Sequence, residues 1–466
     1  MPGKLLAGEH PGAAAADDTS ARLSRLLGAG VTCFIDLTQP DEIAPYDAGL
    51  PASVDYFRIP IPDRSVPSEP AQMADILGCV RGALREGRAV YLHCRAGIGR
   101  TGMTVGCLLA ELGLSGEEAL TELNRLWRQS AHSDEWPTVP QTEEQANYIR
   151  HWRPAEPSDG DPLLHPATLA AARGLRERFQ GALLGLAAGD AVAAATQYRR
   201  PGRFTPVGDL LGGGPFDLPR GAWSDDTAMA LCLAESLIEC ERFDARDQVS
   251  RYRRWQLTGY LSATGQCVGI TAGTARALAL AQWRRQTFSG THDPGAQDPE
   301  SLSRVAPVAM YFFARPSAAV ADLAAEAART TCQAPLVLAA CRALARALHA
   351  ALSGEEKAAI VARATAAAGP PAHSGAGAAA AGKASAALAA ILEVFDRTRN
   401  FRDAVLAAAN LGGDSDVVGA ACGALAGAHY TAGAIPTMWR NSLMKKQLIE
   451  SCADRLLAHA MLELGA

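Results

Sequence analysis

The feature that most constrains the fold is a short apolar run that leads into a glycine-rich loop and then into an apolar helix. Residues 89–93 predict a buried strand and residues 102–112 predict the helix. Backbone amides in such a strand–loop–helix turn point inward, and with the helix N-terminus they favour a bound dianion. The same field favours the thiolate form of Cys94 at the start of the loop. The segment therefore predicts an anion-binding loop with a nucleophilic cysteine.

Two further side chains in this segment suit phosphoryl transfer. Arg100 can hold two phosphoryl oxygens through a bidentate contact, which a lysine cannot do. Thr101 is placed to donate its hydroxyl to the sulfur of Cys94, which makes that sulfur a better leaving group. Together they predict a phosphatase that forms a covalent intermediate.

The loop allows two other interpretations. Residues 97–102 match the glycine pattern of a dinucleotide-binding turn, which requires an acid at the end of the next strand. The acids at a suitable distance, Glu117 and Glu118, fall instead in the first turn of a predicted helix, and an arginine is unexpected inside such a loop. The second alternative is a buried, unreactive cysteine before a glycine turn.

The loop fits the pattern H-C-x-x-G-x-x-R-[ST], and the first 150 residues or so resemble the protein tyrosine and dual-specificity phosphatase family. The resemblance implies an α/β cysteine-phosphatase fold in which Cys94 is the nucleophile and Arg100 the transition-state clamp. Thr101 would assist the sulfur, and His93 would orient the loop. No cofactor is implied. The implied phosphate-binding residues are Arg95, Ala96, Gly97, Ile98, Gly99 and Arg100.

The same family uses a general acid and a glutamine loop outside the cysteine segment. Asp63, in a proline-rich loop upstream, matches the acid that protonates the leaving group. Gln141 and Gln145 resemble the glutamines that position the hydrolytic water. The structural alternatives are an ordinary Pro-Asp turn and the polar start of a final helix over residues 142–152.

Substrate preference follows from the charge of the loop. Relatives that act on highly charged phosphoinositides often carry additional lysines there, whereas this chain has Arg95 and the uncharged Ile98. A phosphoprotein substrate is therefore favoured.

The pattern of the chain changes after residue 152. Residues 1–152 alternate strand and helix signals and predict an α/β domain. Residues 153–172 begin with closely spaced prolines and predict a linker. Residues 173–466 show helical spacing without convincing strands and predict an all-α domain, with a flexible Ala/Gly/Pro-rich loop at 364–387.

Composition restricts the partners. The chain has 466 residues, 20% of them charged, a net charge of −5 and no basic block, so a nucleic-acid partner is not expected. No run of about 18 uninterrupted apolar residues and no leader pattern is visible, so a membrane is not expected either. Eleven scattered cysteines without C-x-x-C pairs predict reduced thiols and a cytoplasmic location.

Two acidic clusters in the second half predict a metal site. Ser224, Asp225 and Asp226 precede one apolar helix, and Asp414 and Asp416 precede another. N-capping explains one aspartate per helix but not two tight pairs beside residues that would bury them. Converging carboxylates and hydroxyls suit Mg²⁺ or Mn²⁺.

The helical half resembles the ADP-ribosylglycohydrolase family from about residue 179 to 440. The segments that carry the resemblance are 179–185, 189–190, 204–226, 303–307 and 410–430. The resemblance implies an all-α fold with a dinuclear Mg²⁺ or Mn²⁺ site. It also implies an ADP-ribosylated protein or an ADP-ribose-like ligand as partner.

Four positions depart from the family pattern. Gln197 replaces an acid, Asp298-Pro299-Glu300-Ser301 replaces a Gly-Asn-Gly loop, Cys332 replaces a histidine, and Val417 replaces a threonine ligand. These changes predict impaired hydrolysis and a weak or absent second metal. Two hypotheses remain: an enzyme with two hydrolase activities, and a phosphatase that carries a silent nucleotide-binding domain.

Overall fold

A computed structural model describes residues 5–12, 16–128, 130–153, 166–368 and 383–464. The chain divides into two compact units between Ala172 and Arg173. Within the predicted linker, residues 154–165 lie outside the described residues, and a helix already begins at Pro166.

The N-terminal unit is an α/β domain, as predicted. Its elements are β1 (Leu5–Gly8), α1 (Ala16–Gly28), β2 (Val31–Asp36), β3 (Asp55–Arg58), α2 (Pro70–Arg85), β4 (Ala89–His93), α3 (Gly99–Glu111), α4 (Gly116–Trp127) and α5 (Glu143–His151). The helix after the cysteine loop begins at Gly99, three residues earlier than predicted, so Arg100 and Thr101 lie in its first turn. Ser115 and Glu118 form the capping box that starts α4.

The four strands form one parallel sheet in the order β1-β4-β2-β3. The register pairs His93 with Gly8 on one side and with Asp36 on the other, and pairs Asp36 with Arg58. All four strands therefore end at the same edge, and the loops that follow them meet there. Helix α2 and the strands bury a core that includes Met73, Ile76, Val90 and Leu92.

The C-terminal unit is all-α, as predicted. Its helices are α6 (Pro166–Ala193), α7 (Asp225–Cys240), α8 (Ala245–Thr258), α9 (Ala272–Arg284), α10 (Ala306–Tyr311), α11 (Ser317–Ala328), α12 (Pro335–Leu352), α13 (Lys357–Ala368), α14 (Lys383–Arg397), α15 (Phe401–Ala409), α16 (Ser415–Tyr430), α17 (Thr437–Ser442) and α18 (Lys446–Leu464). Among its described residues only two isolated β-bridges occur. The loop predicted over 364–387 is wrong at both ends, because α13 and α14 extend into it; residues 369–382 lie outside the described residues.

Helices α6 and α16 approach each other along a seam of glycines. A Cβ atom on Gly181, Gly185 or Gly189 would lie 2.1, 2.2 or 1.9 Å from a backbone oxygen of α16. These oxygens belong to glycines at positions 427, 423 and 419, so the seam runs antiparallel at one-turn intervals. No side chain fits between the two backbones. The seam therefore fixes the distance between the helices that carry Asp190 and Asp416.

Helix α12 is long and apolar enough to cross a membrane by length and composition alone. However, 61% of it is buried inside the C-terminal unit, where it packs against α11, α13 and α16. This burial is that of a core helix.

Candidate active sites

The cysteine loop lies at the carboxyl edge of the sheet, as the motif predicts. Cys94 directly follows β4 and is buried, whereas Arg95 and Ala96 are exposed. Gly97 has a φ of +74°, and a Cβ there would lie 2.4 Å from the backbone carbon of Gly8. Only glycine can therefore hold this turn so close to β1.

Arg100 is buried and held by two carboxylates. Its Nη1 and Nη2 donate to the two oxygens of Glu42 at 2.7 and 2.6 Å, and Nη2 also donates to Asp63 Oδ1 at 2.9 Å. Burial opposes the positive charge, but the hydrogen-bonded Glu42 and the nearby Cys94 raise the pKa of Arg100. The hydrogen bond from Arg100 in turn lowers the pKa of Glu42. The guanidinium is thus fully charged and within electrostatic reach of the sulfur.

Asp63, the predicted general acid, lies in a loop beside Arg100. It occupies a turn closed by a hydrogen bond from Ser65 N to Pro62 O at 3.2 Å, and its side chain is 57% exposed. Its carboxylate contacts Arg100 rather than a leaving-group position, so this arrangement is a resting one. Thr101 is buried, and among the described residues its hydroxyl has no hydrogen-bond partner. The predicted hydrogen bond to the Cys94 sulfur is therefore not formed here.

The two predicted water-positioning glutamines have other partners. Gln145 is buried, caps α5 together with Thr142, and donates from Nε2 to Ser65 O at 3.0 Å. The amide oxygen of Gln141 is oriented toward Arg64, which donates to it at 3.1 and 3.2 Å. Both side chains lie against Gly99 at the start of α3. Gln145 therefore caps α5 and links the loop of Ser65 to the start of α3, and its role in positioning water stays a prediction.

His93 belongs to a buried network behind the loop. Asp36 accepts hydrogen bonds from Thr38 and Tyr56, and the nitrogens of His93 and His10 lie 3.8 and 3.9 Å from its two oxygens. Burial lowers the pKa of His93 to about 4 and also lowers that of His10, so both rings are neutral at neutral pH.

By distance alone these three side chains could act as metal ligands, but the hydrogen bonds of the two rings favour protons on the nitrogens that face Asp36. His10 Nδ1 accepts from Gly12 N at 2.9 Å, so its Nε2 carries the proton. His93 accepts from Tyr46 at Nε2, and its Nδ1 faces the Cys94 carbonyl at 3.3 Å, which requires a proton there. Both nitrogens that face Asp36 therefore lack a free lone pair. The network packs directly behind Cys94, and the role of His93 in orienting the loop stays a prediction.

The second site is organised by Asp190 on α6. This buried carboxylate accepts from Ser224 Oγ at 2.8 Å and from Thr227 Oγ1 at 2.7 Å, and also from the backbone amides of both residues. It thereby fixes the first turn of α7, where Asp225 and Asp226 begin the helix. The sequence places Asp190 only in a segment that resembles the family and does not predict this role.

Three of the predicted acidic residues are buried and lie near enough to raise one another's pKa, and these three form the acidic cluster. Asp225, Asp226 and Asp416 are each less than 7% exposed, and each has one carboxylate oxygen without a hydrogen-bond partner among the described residues. Burial, and then the neighbouring carboxylates, raise the pKa of Asp225 and Asp226 well above the usual range. Such oxygens are costly to bury unless a cation neutralises them. The donor set therefore fits Mg²⁺ or Mn²⁺.

The remaining predicted residues surround this cluster. Asp414 is half-buried at the N-cap of α16, near enough to raise the pKa of Asp416. Gln197 donates from its amide to Asp416 Oδ2, so a neutral group occupies the position of the missing acid. Val417 is buried and offers no oxygen, and Cys332 contacts the Ala296 carbonyl at 3.5 Å.

The structure adds residues that sequence reasoning did not find. Glu42 anchors Arg100, although nothing in its local sequence distinguishes it. Glu300 was noted only as a departure from the family loop, yet its carboxylate lies with the cluster and raises the pKa of Asp225. Tyr198 has a φ of +60° and is 54% exposed at the edge of the cluster. Burial raises the pKa of Tyr198 most, and the nearby Asp416 carboxylate raises it further.

An α/β unit with a cysteine loop, followed by an all-α unit with a carboxylate cluster, defines a two-domain hydrolase. The sequence profile described as ADP-ribosylglycohydrolase matches residues 171–464. The chain belongs to the ADP-ribosylglycohydrolase family. A second profile, described as "Polymorphic toxin system, DSP-PTPase phosphatase", matches residues 8–114, so a phosphatase-like domain precedes it.

Individual relatives agree with these profiles. An "ADP-ribosylarginine hydrolase Tri1" of Pseudomonas putida is 35% identical over 326 residues, 67% of this chain and 86% of that protein. A solved "ADP-ribosylglycohydrolase-related protein complex" matches with a TM-score of 0.54 and 37% identity, covering 62% of this chain and all of that one. The "Putative tyrosine phosphatase 067L" of Invertebrate iridescent virus 3 is 33% identical over 105 residues, 21% of this chain and 42% of that protein.

Proposed function

We propose that the chain removes phosphate from phosphoproteins in its N-terminal unit and ADP-ribosyl groups from protein arginines in its C-terminal unit. The main support for phosphate removal is the buried Arg100, which Glu42 holds within electrostatic reach of Cys94. The main support for removal of ADP-ribosyl groups is the set of carboxylate oxygens on Asp225, Asp226 and Asp416 that have no hydrogen-bond partner among the described residues.

The geometry of the first site supports a two-step reaction. The Cys94 thiolate attacks phosphorus, the bond from phosphorus to the leaving oxygen breaks, and Asp63 gives its proton to that oxygen. Asp63 must first leave Arg100, because Nη2 is needed by the phosphoryl oxygens. A water molecule then breaks the sulfur–phosphorus bond and yields its proton to the Asp63 carboxylate. Phosphate leaves and the thiolate is restored.

Phosphate release from a small aryl phosphate tests the first activity. We expect the full chain to turn over in the presence of a chelator, because no step requires a metal. Cys94→Ser should abolish turnover while oxyanion binding persists, since the loop amides and Arg100 remain. Phosphate release by the Cys94→Ser protein that depends on added metal would overturn the assignment.

The second activity cleaves a carbon–nitrogen bond. The glycosidic bond between the ribose C1 and the guanidino nitrogen breaks, the oxygen of water joins C1, and a proton returns to nitrogen. The arginine linkage is supported by the name of the Pseudomonas putida relative. Asp225, Asp226 and Asp416, with Ser224 and Asp414, would hold Mg²⁺ or Mn²⁺. When bound, such a cation supplies Lewis acidity at the sugar and its water.

One experiment distinguishes ADP-ribosyl hydrolysis from ADP-ribose binding without turnover. ADP-ribose release from an ADP-ribosylated arginine peptide is measured with and without Mn²⁺, for the full chain and for Asp226→Asn. We expect slow, Mn²⁺-dependent release that Asp226→Asn eliminates. Gln197 and Val417 favour a second candidate, a domain that binds ADP-ribose without turnover. Calorimetric binding of ADP-ribose by a protein that releases none would select that candidate.

A further inference from the structure

The chain at the end of β1 lies directly against the cysteine loop. A Cβ on Gly97 would lie 2.4 Å from the backbone carbon of Gly8 and 2.7 Å from Glu9 N. Two residues after the end of β1, His10 N donates a hydrogen bond to the Arg95 carbonyl at 3.0 Å. The cysteine loop therefore rests on the backbone of this segment.

The hydrogen bond from His10 N sets the direction of one amide in the loop. The peptide bond between Arg95 and Ala96 is trans, because the one cis peptide bond among the described residues precedes Pro140. In a trans peptide the carbonyl oxygen and the amide hydrogen point in opposite directions. With the Arg95 carbonyl held toward His10, the Ala96 N–H points to the other side of the loop. Ala96 is exposed and belongs to the residues predicted to bind phosphate.

The His10 ring holds this backbone in place. The residue is 2% exposed, and its Nδ1 accepts a hydrogen bond from Gly12 N at 2.9 Å, which closes a tight turn after β1. Gly12 packs so closely that a Cβ there would lie 2.8 Å from Nδ1 and from Cε1 of the ring. A side-chain acceptor for the amide two residues on is the pattern of an Asx-type turn, which restricts the backbone of the residue that supplies the acceptor. The Nδ1 contact therefore fixes the direction of His10 N.

Two simpler roles do not account for this ring. A buried side chain behind the loop does not reach the substrate, so His10 is not a catalytic residue. A ring that only fills the space beside Tyr46 and His93, whose centroids lie 5.1 and 5.0 Å away, needs no hydrogen bond. Its Nε2 has no hydrogen-bond partner among the described residues and lies 3.9 Å from Asp36 Oδ2. The paired atom of the ring is the Nδ1 that closes the turn.

We propose that His10 is a positioning residue of the phosphatase site, whose Nδ1 fixes the turn that holds the Arg95 carbonyl and directs the Ala96 amide toward the bound oxyanion. This inference rests on the phosphatase activity of the proposed function. An amide stabilises developing charge best when it is oriented before the anion enters, because reorientation during the reaction costs free energy.

Vanadate affinity and kcat/KM on an aryl phosphate test the inference in variants of the full chain. His10→Phe keeps a ring but has no acceptor for Gly12 N. We expect it to bind vanadate about tenfold more weakly and to lose about 10²-fold in kcat/KM, the lower end for loss of one oxyanion donor. His10→Asn should retain most of the vanadate affinity, because an asparagine oxygen accepts readily from the amide two residues on. His151→Phe, at an exposed histidine on α5, is the matched control and should behave as the unaltered chain does.

Thermal unfolding separates positioning from packing. Asparagine leaves a cavity where the ring lies, so His10→Asn should melt at a lower temperature than His10→Phe although it binds vanadate more tightly. A histidine that only fills space predicts the same order in both measurements, with His10→Asn the weaker binder. Vanadate binding by His10→Asn that is no tighter than that by His10→Phe would overturn the inference. So would binding by His10→Phe that equals the control.

A change at Gly12 tests the same contact from its other side. Gly12→Ala places a methyl group against Nδ1 and displaces the ring, so it should weaken vanadate binding about tenfold while His10 itself is retained. Gly28→Ala is the matched control, because a Cβ at Gly28 has no heavy atom within 4 Å. If the His10 variants do not fold, Gly12→Ala decides, and an unchanged vanadate affinity overturns the inference.

The failures are distinguishable. If the unaltered chain neither binds vanadate nor releases phosphate, the proposed phosphatase activity and this inference both fall. If the unaltered chain does both and His10→Phe matches the control, the phosphatase activity stands and the assignment of His10 is wrong.

Discussion

Replacing Asp63 with asparagine should alter catalysis and oxyanion binding in opposite directions. In the resting arrangement the Asp63 carboxylate accepts from Arg100 Nη2 at 2.9 Å, the atom that must reach the phosphoryl group. The substitution removes the proton donor for the leaving group. It also removes a negative charge that competes with the incoming dianion for Arg100.

The two magnitudes can be worked from the structure. Loss of a general acid typically costs about 10²–10⁴-fold in turnover. The contact with Arg100 is half-open to solvent, since the Asp63 side chain is 57% exposed. Pairs of this kind are worth about 0.2–1 kcal/mol, so oxyanion affinity should rise by up to about fivefold. The turnover loss should shrink for substrates whose leaving group is already a weak base.

The assay measures turnover on a series of aryl phosphates together with the dissociation constant of vanadate. Asp75→Asn, an exposed acid on α2, serves as the control and should leave both quantities unchanged. Equal turnover losses across the leaving-group series would refute Asp63 as the acid. Unchanged or weaker vanadate binding would refute the competition for Arg100.

Three further predictions concern the positioning elements. Glu42→Gln should lower kcat/KM on aryl phosphates by about 10²-fold, because Arg100 loses its bidentate anchor and shifts. An unchanged kcat/KM would show that the cysteine loop alone holds Arg100. Gly185→Ala should destabilise the chain by about 1–3 kcal/mol in denaturant unfolding, whereas Gly174→Ala on the same helix, with no atom closer than 3.6 Å, should be neutral or stabilising. Without metal, stability should fall as pH rises from about 4 to about 7, because burial raises the pKa of the clustered carboxylates in the folded chain, that of Asp416 to about 7, and the unfolded chain releases those protons first. Mn²⁺ should flatten this slope in thermal unfolding.

The sequence predicts best those parts of the fold that depend on consecutive residues. Strand β4, the cysteine loop and α3 follow one another, so their apolar period and glycines are enough to place Cys94 and Arg100. The capping box of Ser115 and Glu118 is similarly local. Helix ends in the Ala-rich region were predicted less well, because alanine favours helix at 364–368 as strongly as in the neighbouring segments.

Residues that act across long chain separations were missed. Glu42 reaches Arg100 from 58 positions away, and Asp190 reaches Ser224 from 34 positions away on a different helix. No periodicity or spacing relates such pairs; the sheet edge and the helix packing bring them together. Gln145 shows that local patterns can allow two roles, since the helix start that the sequence offered as an alternative is observed as a capping box with Thr142.

The glycine seam between α6 and α16 makes the C-terminal unit a suitable scaffold for protein engineering. Main-chain atoms on both sides set the separation of the helices, and Asp190 and Asp416 lie within one turn of seam glycines. Side chains in the cluster can therefore be exchanged without altering the frame that holds them. A library that varies positions 197, 300 and 417 while retaining the seam would explore new metal preferences on a constant backbone.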